Sequence, residues 1–315
     1  MNAPSAWQLR VAEYLAYRRG LGFRLTADEI LLNAFAGFAD EMGGQDRLTV
    51  ALAAQWARAS KRQSPLTWGR RIEVLRGFAR FCLRFEPATE IPPRELFGPT
   101  HRRLIPHIYT EEEVVVLLEA AGHLAPCNGL RPATCQSVLG LLAASGLRIS
   151  EALALTRTDV DLDAGVLCIR EAKFHKRRLV PLHPSAVEAL RGYARLRDQK
   201  VRRPASECFF LRDDGQPPNQ AAILYALQTL CRQLGWQPRG DHVHHRLHDL
   251  RHTFIVRSAL RFYQQGIDVD HAVLALSTYV GHAKVSDTYW YFTGIPELMA
   301  VAAERFHRYA MGASQ

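Results

Sequence analysis

Apolar residues recur at helical spacing in four stretches near the start of the chain, residues 5–20, 26–42, 49–61 and 66–85, separated by short Gly, Thr, Ser or Pro breaks. The pattern predicts a small all-helical domain over residues 1–90. In its last helix Ile72, Leu75, Phe78, Ala79 and Cys82 form an apolar stripe, while Arg76, Arg80 and Arg84 recur every four residues on a different face. The segment "EPATEIPPRELFGPTHRRLIPH" then carries five prolines in 22 residues. It excludes a continuous helix and predicts an extended linker over 91–108. From residue 109 to 315 the pattern changes. "YTEEEVVVLLEAAG" opens a helix with Thr110 as N-cap and Glu113 three residues on, a capping box. Helices are expected at about 131–144 and 150–156, the latter capped by Ser150. Two strand-like runs, "GVLCIRE" and "RRLVPLH", joined by the basic turn "AKFHKR", predict a hairpin. Helices at about 184–200, 218–235, 248–265 and 269–280 follow, with another after Pro296. The expected fold is mainly α with a small antiparallel β-sheet.

Composition adds a partner. Forty Lys and Arg against 31 Asp and Glu give a formal charge of +9, which favours a polyanion. Between residues 58 and 84 eight basic residues face one acid, Glu73, too few acids for a face of i,i+4 ion pairs. Arg70, Arg76, Arg80 and Arg84 are therefore candidates for contact with DNA phosphates, with a plain solvated face as the alternative. No apolar run approaches the roughly 18 residues of a membrane span, and the charged N-terminus lacks the apolar core of a signal peptide. A cytoplasmic protein is expected. The six cysteines are scattered, without a C-x-x-C pair, and are expected to be buried reduced thiols. "DHVHHRLHDLRH" packs five of the 13 histidines into residues 242–252, yet no cysteine lies nearby and H-E-x-x-H spacing is absent, so no metal is expected.

Four places in the second domain carry polar chemistry. In "SGLRISEALAL" Arg148 stands at a helix start with Glu151 in the first turn; a buried ion pair between them is the plainer reading. In the hairpin turn Lys173, followed by Lys176, would be the first cation to enter a DNA groove. In "HRLHDLRHTF" His248 and Arg251 lie three apart on one helical face and could share an anionic oxygen. In "GHAKVSDTYWYFTG" His282 precedes two tyrosines. In this order and spacing the motifs resemble the tyrosine recombinase, or lambda integrase-like, family over residues 109–310. The mobile-element integrases and transposases are the subgroup most resembled. The basic helical domain is similar to that family's core-binding domain.

The resemblance implies that Arg148, Lys173, His248, Arg251 and His282 are the catalytic cations, that Glu151 supports the first arginine, and that Tyr291 is the nucleophile. It also implies a protein clamped around double-stranded DNA at specific sites, forming a homo-oligomer, a tetramer built through the C-terminal helix "PELMAVAAERFHRYA", with helper recombinases as further partners. Residues two apart on a helix point roughly 200° from one another, so Tyr289 and Tyr291 cannot both face one site. Spacing from Gly281-His282 selects Tyr291. Phosphodiester cleavage needs a nucleophile, stabilisation of charge on the non-bridging oxygens and a proton for the leaving oxygen. These residues supply all three, so no cofactor is expected. The family's usual product is a 3′-phosphotyrosyl bond. The competing readings are a type IB topoisomerase, a non-catalytic DNA-binding regulator on the same fold, and a histidine-rich metallohydrolase.

Overall fold

The computed structural model describes residues 3–43, 47–99, 104–170, 177–292, 303–304 and 307. The chain divides into two compact units, Met1–Arg103 and Leu104–Gln315.

The first unit contains α1 (Ala6–Gly20), α2 (Thr26–Glu41), α3 (Val50–Arg58) and α4 (Pro65–Cys82). Three of these helices begin at a side-chain cap. Ser5 and Gln8 form a capping box, Thr49 accepts from the Leu52 N–H, and Ser64 accepts from the Thr67 N–H with Pro65 in the first turn. The core is aromatic. The Phe35 ring is packed edge-on against Trp7 and Trp56 at centroid distances of 5.4 and 5.5 Å, and against Phe78 at 6.2 Å. Burial of such a ring stabilises by roughly 1.5–3 kcal/mol, and each edge contact adds about 1 kcal/mol. Described residues of the proline-rich stretch pack within each unit. Ile91, Leu96 and Phe97 pack onto the first core, whereas Ile105 bonds to Asp241 of the second unit. The same packing corrects one sequence expectation. Arg76 is buried, its guanidinium donating to the Pro92 carbonyl and lying 3.8 Å from Glu73, so it is not on the exposed basic face; Arg70, Arg80 and Arg84 are.

The second unit runs α5 (Glu111–Gly122), α6 (Arg131–Ser145), α7 (Ile149–Ala154), strands β1 (Val160–Asp161), β2 (Val166–Arg170) and β3 (Arg177–Pro181), then α8 (Pro184–Lys200), α9 (Gln220–Gln233), α10 (Leu247–Gln264), α11 (Val269–Val280) and the single turn α12 (Ser286–Tyr289). The Thr110–Glu113 capping box forms as the sequence requires. The strands make an antiparallel sheet in the order β1-β2-β3, with Cys168 opposite Leu179 and Arg170 opposite Arg177. Alternation is strict on β3: Val180 points into the core, Leu179 is exposed, and Arg178 therefore shares the inward side with Val180. α10 lies in the middle of the unit, with Leu250, Ile255, Val256 and Ala259 fully buried. All six thiols are free; Cys127 departs from expectation in being exposed. Among the described residues no helix is long and apolar enough to cross a membrane. The expected terminal helix after Pro296 lies largely outside the described residues.

Candidate active site

The site is assembled where two helices end and two begin. α6 stops at Gly146, which adopts φ +62°; a Cβ there would collide with the Phe254 ring. Two residues later Arg148, not Ser150, is the N-cap of α7: its own N–H and its Nη1 donate to the Glu151 carboxylate at 3.0 and 2.8 Å. Its Nη2 donates to the Gly281 carbonyl at 2.9 Å.

α10 begins with the H-D-L-R-H motif, and the motif's residues divide their tasks. Asp249, fully buried, accepts from the Arg246 N–H and side chain and fixes the helix start. That places His248, Arg251 and His252 on one face. Arg251 is buried and donates to the Gly146 carbonyl at 2.6 Å and the Val280 carbonyl at 2.8 Å, tying α6 to α11.

α11 ends in Gly281, with φ +71°, and the His282 N–H reaches back to the Ser277 carbonyl at 2.9 Å. This closure sets His282 directly beyond a left-handed glycine, which is why Gly and His occur as a pair. The buried Thr288 hydroxyl holds the His282 Nδ1 at 2.7 Å.

Tyr291 is buried in a single 3-10 turn after α12, its hydroxyl 3.2 Å from the His248 Nε2. Its ring lies 4.4 Å from His252 and 5.2 Å, nearly parallel, from His282. Tyr289 points elsewhere: it is exposed and its hydroxyl reaches Asp270 at 3.4 Å.

The structure thus brings together Arg148, Glu151, His248, Arg251, His282 and Tyr291. Lys173 and Lys176 lie outside the described residues, and Arg70, Arg80 and Arg84 belong to the other unit.

Two further groups entered the site without being anticipated. Arg178 on β3 forms a bidentate pair with Glu151, Nη1 at 3.2 Å and Nη2 at 2.8 Å. The signal for it was partial: strand alternation puts Arg178 on the same side as the buried Val180. His252 lies against Tyr291 with the rings tilted by 37° and edge-on to Trp290, and its place one helical turn after His248 was legible.

The electrostatics of the site set the charge of its histidines. Burial of the His282 ring, with Arg251 and Arg148 nearby, lowers its pKa to about 4. His248 keeps an accessible edge, yet crowding of its ring and then Arg251, Arg246 and Arg148 lower it likewise to about 4. Both are neutral imidazoles at neutral pH. Burial also lowers Arg251, opposed by the Tyr291 hydroxyl, but an arginine keeps its charge. For Glu151 burial acts upward and is outweighed by hydrogen bonds from Arg178 and Arg148, so its carboxyl lies below the usual range and is ionised. Among the described residues no group of three or more His, Cys, Asp or Glu side chains could hold a metal ion. The histidine-rich stretch is divided: His248 and His252 face Tyr291, while His245 packs on His107.

Residues 108–294 match the model of the phage integrase family. The chain belongs to this family of tyrosine recombinases. Among its relatives, the integrase/recombinase y4rB of Sinorhizobium fredii is 40% identical over 309 residues, 96% of this chain and 98% of the relative. The tyrosine recombinase XerD of Staphylococcus saprophyticus is 30% identical over 221 residues, 70% of this chain and 69% of the relative. In fold the recombinase is similar to the XerH site-specific recombinase bound to its palindromic difH substrate, with a TM-score of 0.68 at 18% identity, covering 97% of this chain and 86% of that one. It is similar also to the Tn1549 transposon integrase in complex with transposon right end DNA, with a TM-score of 0.66 at 16% identity, covering 96% and 99%. The mainly helical fold with a small antiparallel sheet is that of these recombinases.

Proposed function

We propose that this recombinase cleaves and rejoins double-stranded DNA at specific sites through a covalent 3′-phosphotyrosyl intermediate on Tyr291, without metal or nucleotide cofactor. One observation carries the reading: the Tyr291 hydroxyl sits 3.2 Å from the Nε2 of a histidine that is neutral at neutral pH, beside the guanidiniums of Arg148 and Arg251.

In the proposed step the Tyr291 oxygen attacks phosphorus and its proton passes to the His248 Nε2, within general-base reach. The bond from phosphorus to the 5′ oxygen breaks as the tyrosyl ester forms. Arg148, whose side chain is 39% exposed, and Arg251 meet the charge that grows on the non-bridging oxygens. His282 donates a hydrogen bond to the same phosphate, its ring fixed by Thr288. Lys173 supplies the proton to the departing 5′ oxygen. The ester conserves the energy of the broken linkage, so the 5′-hydroxyl of a second strand reverses the reaction without ATP.

Exchange of four strands needs four such sites, which suits a homo-tetramer joined through the C-terminal helix. The basic residues Arg70, Arg80 and Arg84 of the first unit and Lys176 of the hairpin turn serve as phosphate contacts that position the duplex. Near full-length similarity to an integrase/recombinase supports recombination of mobile DNA over relaxation of supercoils.

A plasmid bearing two copies of a site captured covalently by the protein from random duplexes tests this choice. Excised and inverted circles are expected. Relaxed topoisomers without any recombinant product would assign the chain to topoisomerase chemistry instead.

A further inference from the structure

The proposed reaction leaves Arg178 without a task, although it is the most heavily engaged guanidinium of the site. Its side chain is only 11% exposed and addresses, among the described residues, a carboxylate and two carbonyls at once. Two nitrogens grip the Glu151 carboxylate; Nε donates to the Tyr279 carbonyl at 3.1 Å, and Nη2 also reaches the Val280 carbonyl at 3.4 Å. The contact between β3 and α11 is doubled by the Tyr279 hydroxyl, which donates to the Pro181 carbonyl at 3.0 Å.

These bonds have a geometric consequence. Glu151 is shared, one guanidinium on each side, so Arg148 holds it through Nη1 and turns Nη2 to Gly281. The last carbonyls of α11 lack partners within the helix, and arginines on three different elements satisfy them: Arg178 at Tyr279 and Val280, Arg251 at Val280, Arg148 at Gly281. His282 follows those carbonyls directly. A fixed planar fork of five donors is what can serve a carboxylate and two carbonyls together; an ammonium group cannot span them.

Building on the cleavage reading above, we infer that Arg178 is a positioning residue for it: through Glu151 it orients Arg148, and through the end of α11 it sets His282.

The test uses the full-length protein and a nicked suicide duplex bearing a site captured from random sequence. Wild type, Arg178→Lys, Glu151→Gln and the double variant are compared in single-turnover adduct formation at saturating DNA. Rates are normalised to the DNA-binding-competent fraction, so that loss of folded protein does not enter. Each duplex is used with oxygen or with sulfur at the leaving 5′ position. Arg178→Lys is expected to bind DNA as wild type does and to cleave about 10²-fold more slowly, the scale of a misplaced catalytic group. The double variant should be no slower than the slower single variant, since both act through one carboxylate. Sulfur, which leaves without a proton, should not restore the rate. Wild-type cleavage by Arg178→Lys, or full rescue by sulfur, would overturn the positioning role while leaving the reaction intact. No adduct with the wild-type protein would instead remove the reaction itself.

Discussion

Burial decides which of the arginines spaced four apart along α4 and just beyond it can meet DNA. Arg80 and Arg84 are exposed, whereas Arg76 has its charge enclosed between Glu73 and the Pro92 carbonyl. Their substitutions should therefore differ in kind. Arg80→Ala is expected to weaken DNA binding and to lower the slope of log affinity against log salt by roughly 0.9, one phosphate contact. Arg76→Ala should leave that slope unchanged and cost about 1–3 kcal/mol of stability through an unpaired buried carbonyl, measured by urea unfolding. The same reasoning applies at His248, where charge is suppressed rather than enclosed. Its pKa is lowered to about 4, so it is a proton acceptor through the neutral range. An approaching phosphate stabilises the imidazolium and moves that pKa upward. Single-turnover cleavage should thus be flat near neutrality and fall as pH drops through the bound-state value, while His248→Gln should be slow and lack this acid limb.

At the scale of elements, helix ends carry the organisation. The capping box at Thr110 and the glycines that stop α6 and α11 were written in the sequence and formed where the pattern placed them. The histidines and arginine of H-D-L-R-H and the Gly-His pair were equally legible, because helical spacing alone puts them on one face. What the sequence concealed is which surfaces cover one another. A helical wheel gives Arg76 a face but not the segment at Ile91–Phe97 that closes over it. The alternation of β3 turns Arg178 inward but does not name Glu151 as its partner. Ser150 offered a normal N-cap, yet the carboxylate of Glu151 reaches back to the Arg148 N–H and starts the helix earlier. Histidines held below their ordinary pKa also make the second unit acid-sensitive. His107, His248 and His282 are each lowered from 6.5 to about 4, mainly by burial. Between these values the unfolded chain binds more protons than the folded one, so stability rises with pH across the window. It should be fully present above about pH 6.5 and decline progressively toward pH 4, read from urea midpoints. A midpoint independent of pH over that range would contradict this lowering of the three rings.

For the whole molecule, two compact units meet in sequence between Arg103 and Leu104, each with its own core. We assign DNA positioning chiefly to the basic surface of the first and strand cleavage to the second. The central claim, however, rests on a single oxygen. Two tyrosines flank Trp290; one is exposed beside Asp270 and the other is enclosed by three histidines. The decisive experiment incubates a nicked suicide duplex, bearing the captured site, with wild type, Tyr289→Phe and Tyr291→Phe in the presence of chelator, and scores a protein–DNA adduct that survives denaturant. The adduct is expected with wild type and Tyr289→Phe, and with neither chelator nor denaturant abolishing it, while Tyr291→Phe yields none. An adduct that persists in Tyr291→Phe, or that disappears on chelation, would contradict the assignment of Tyr291 as a metal-independent nucleophile.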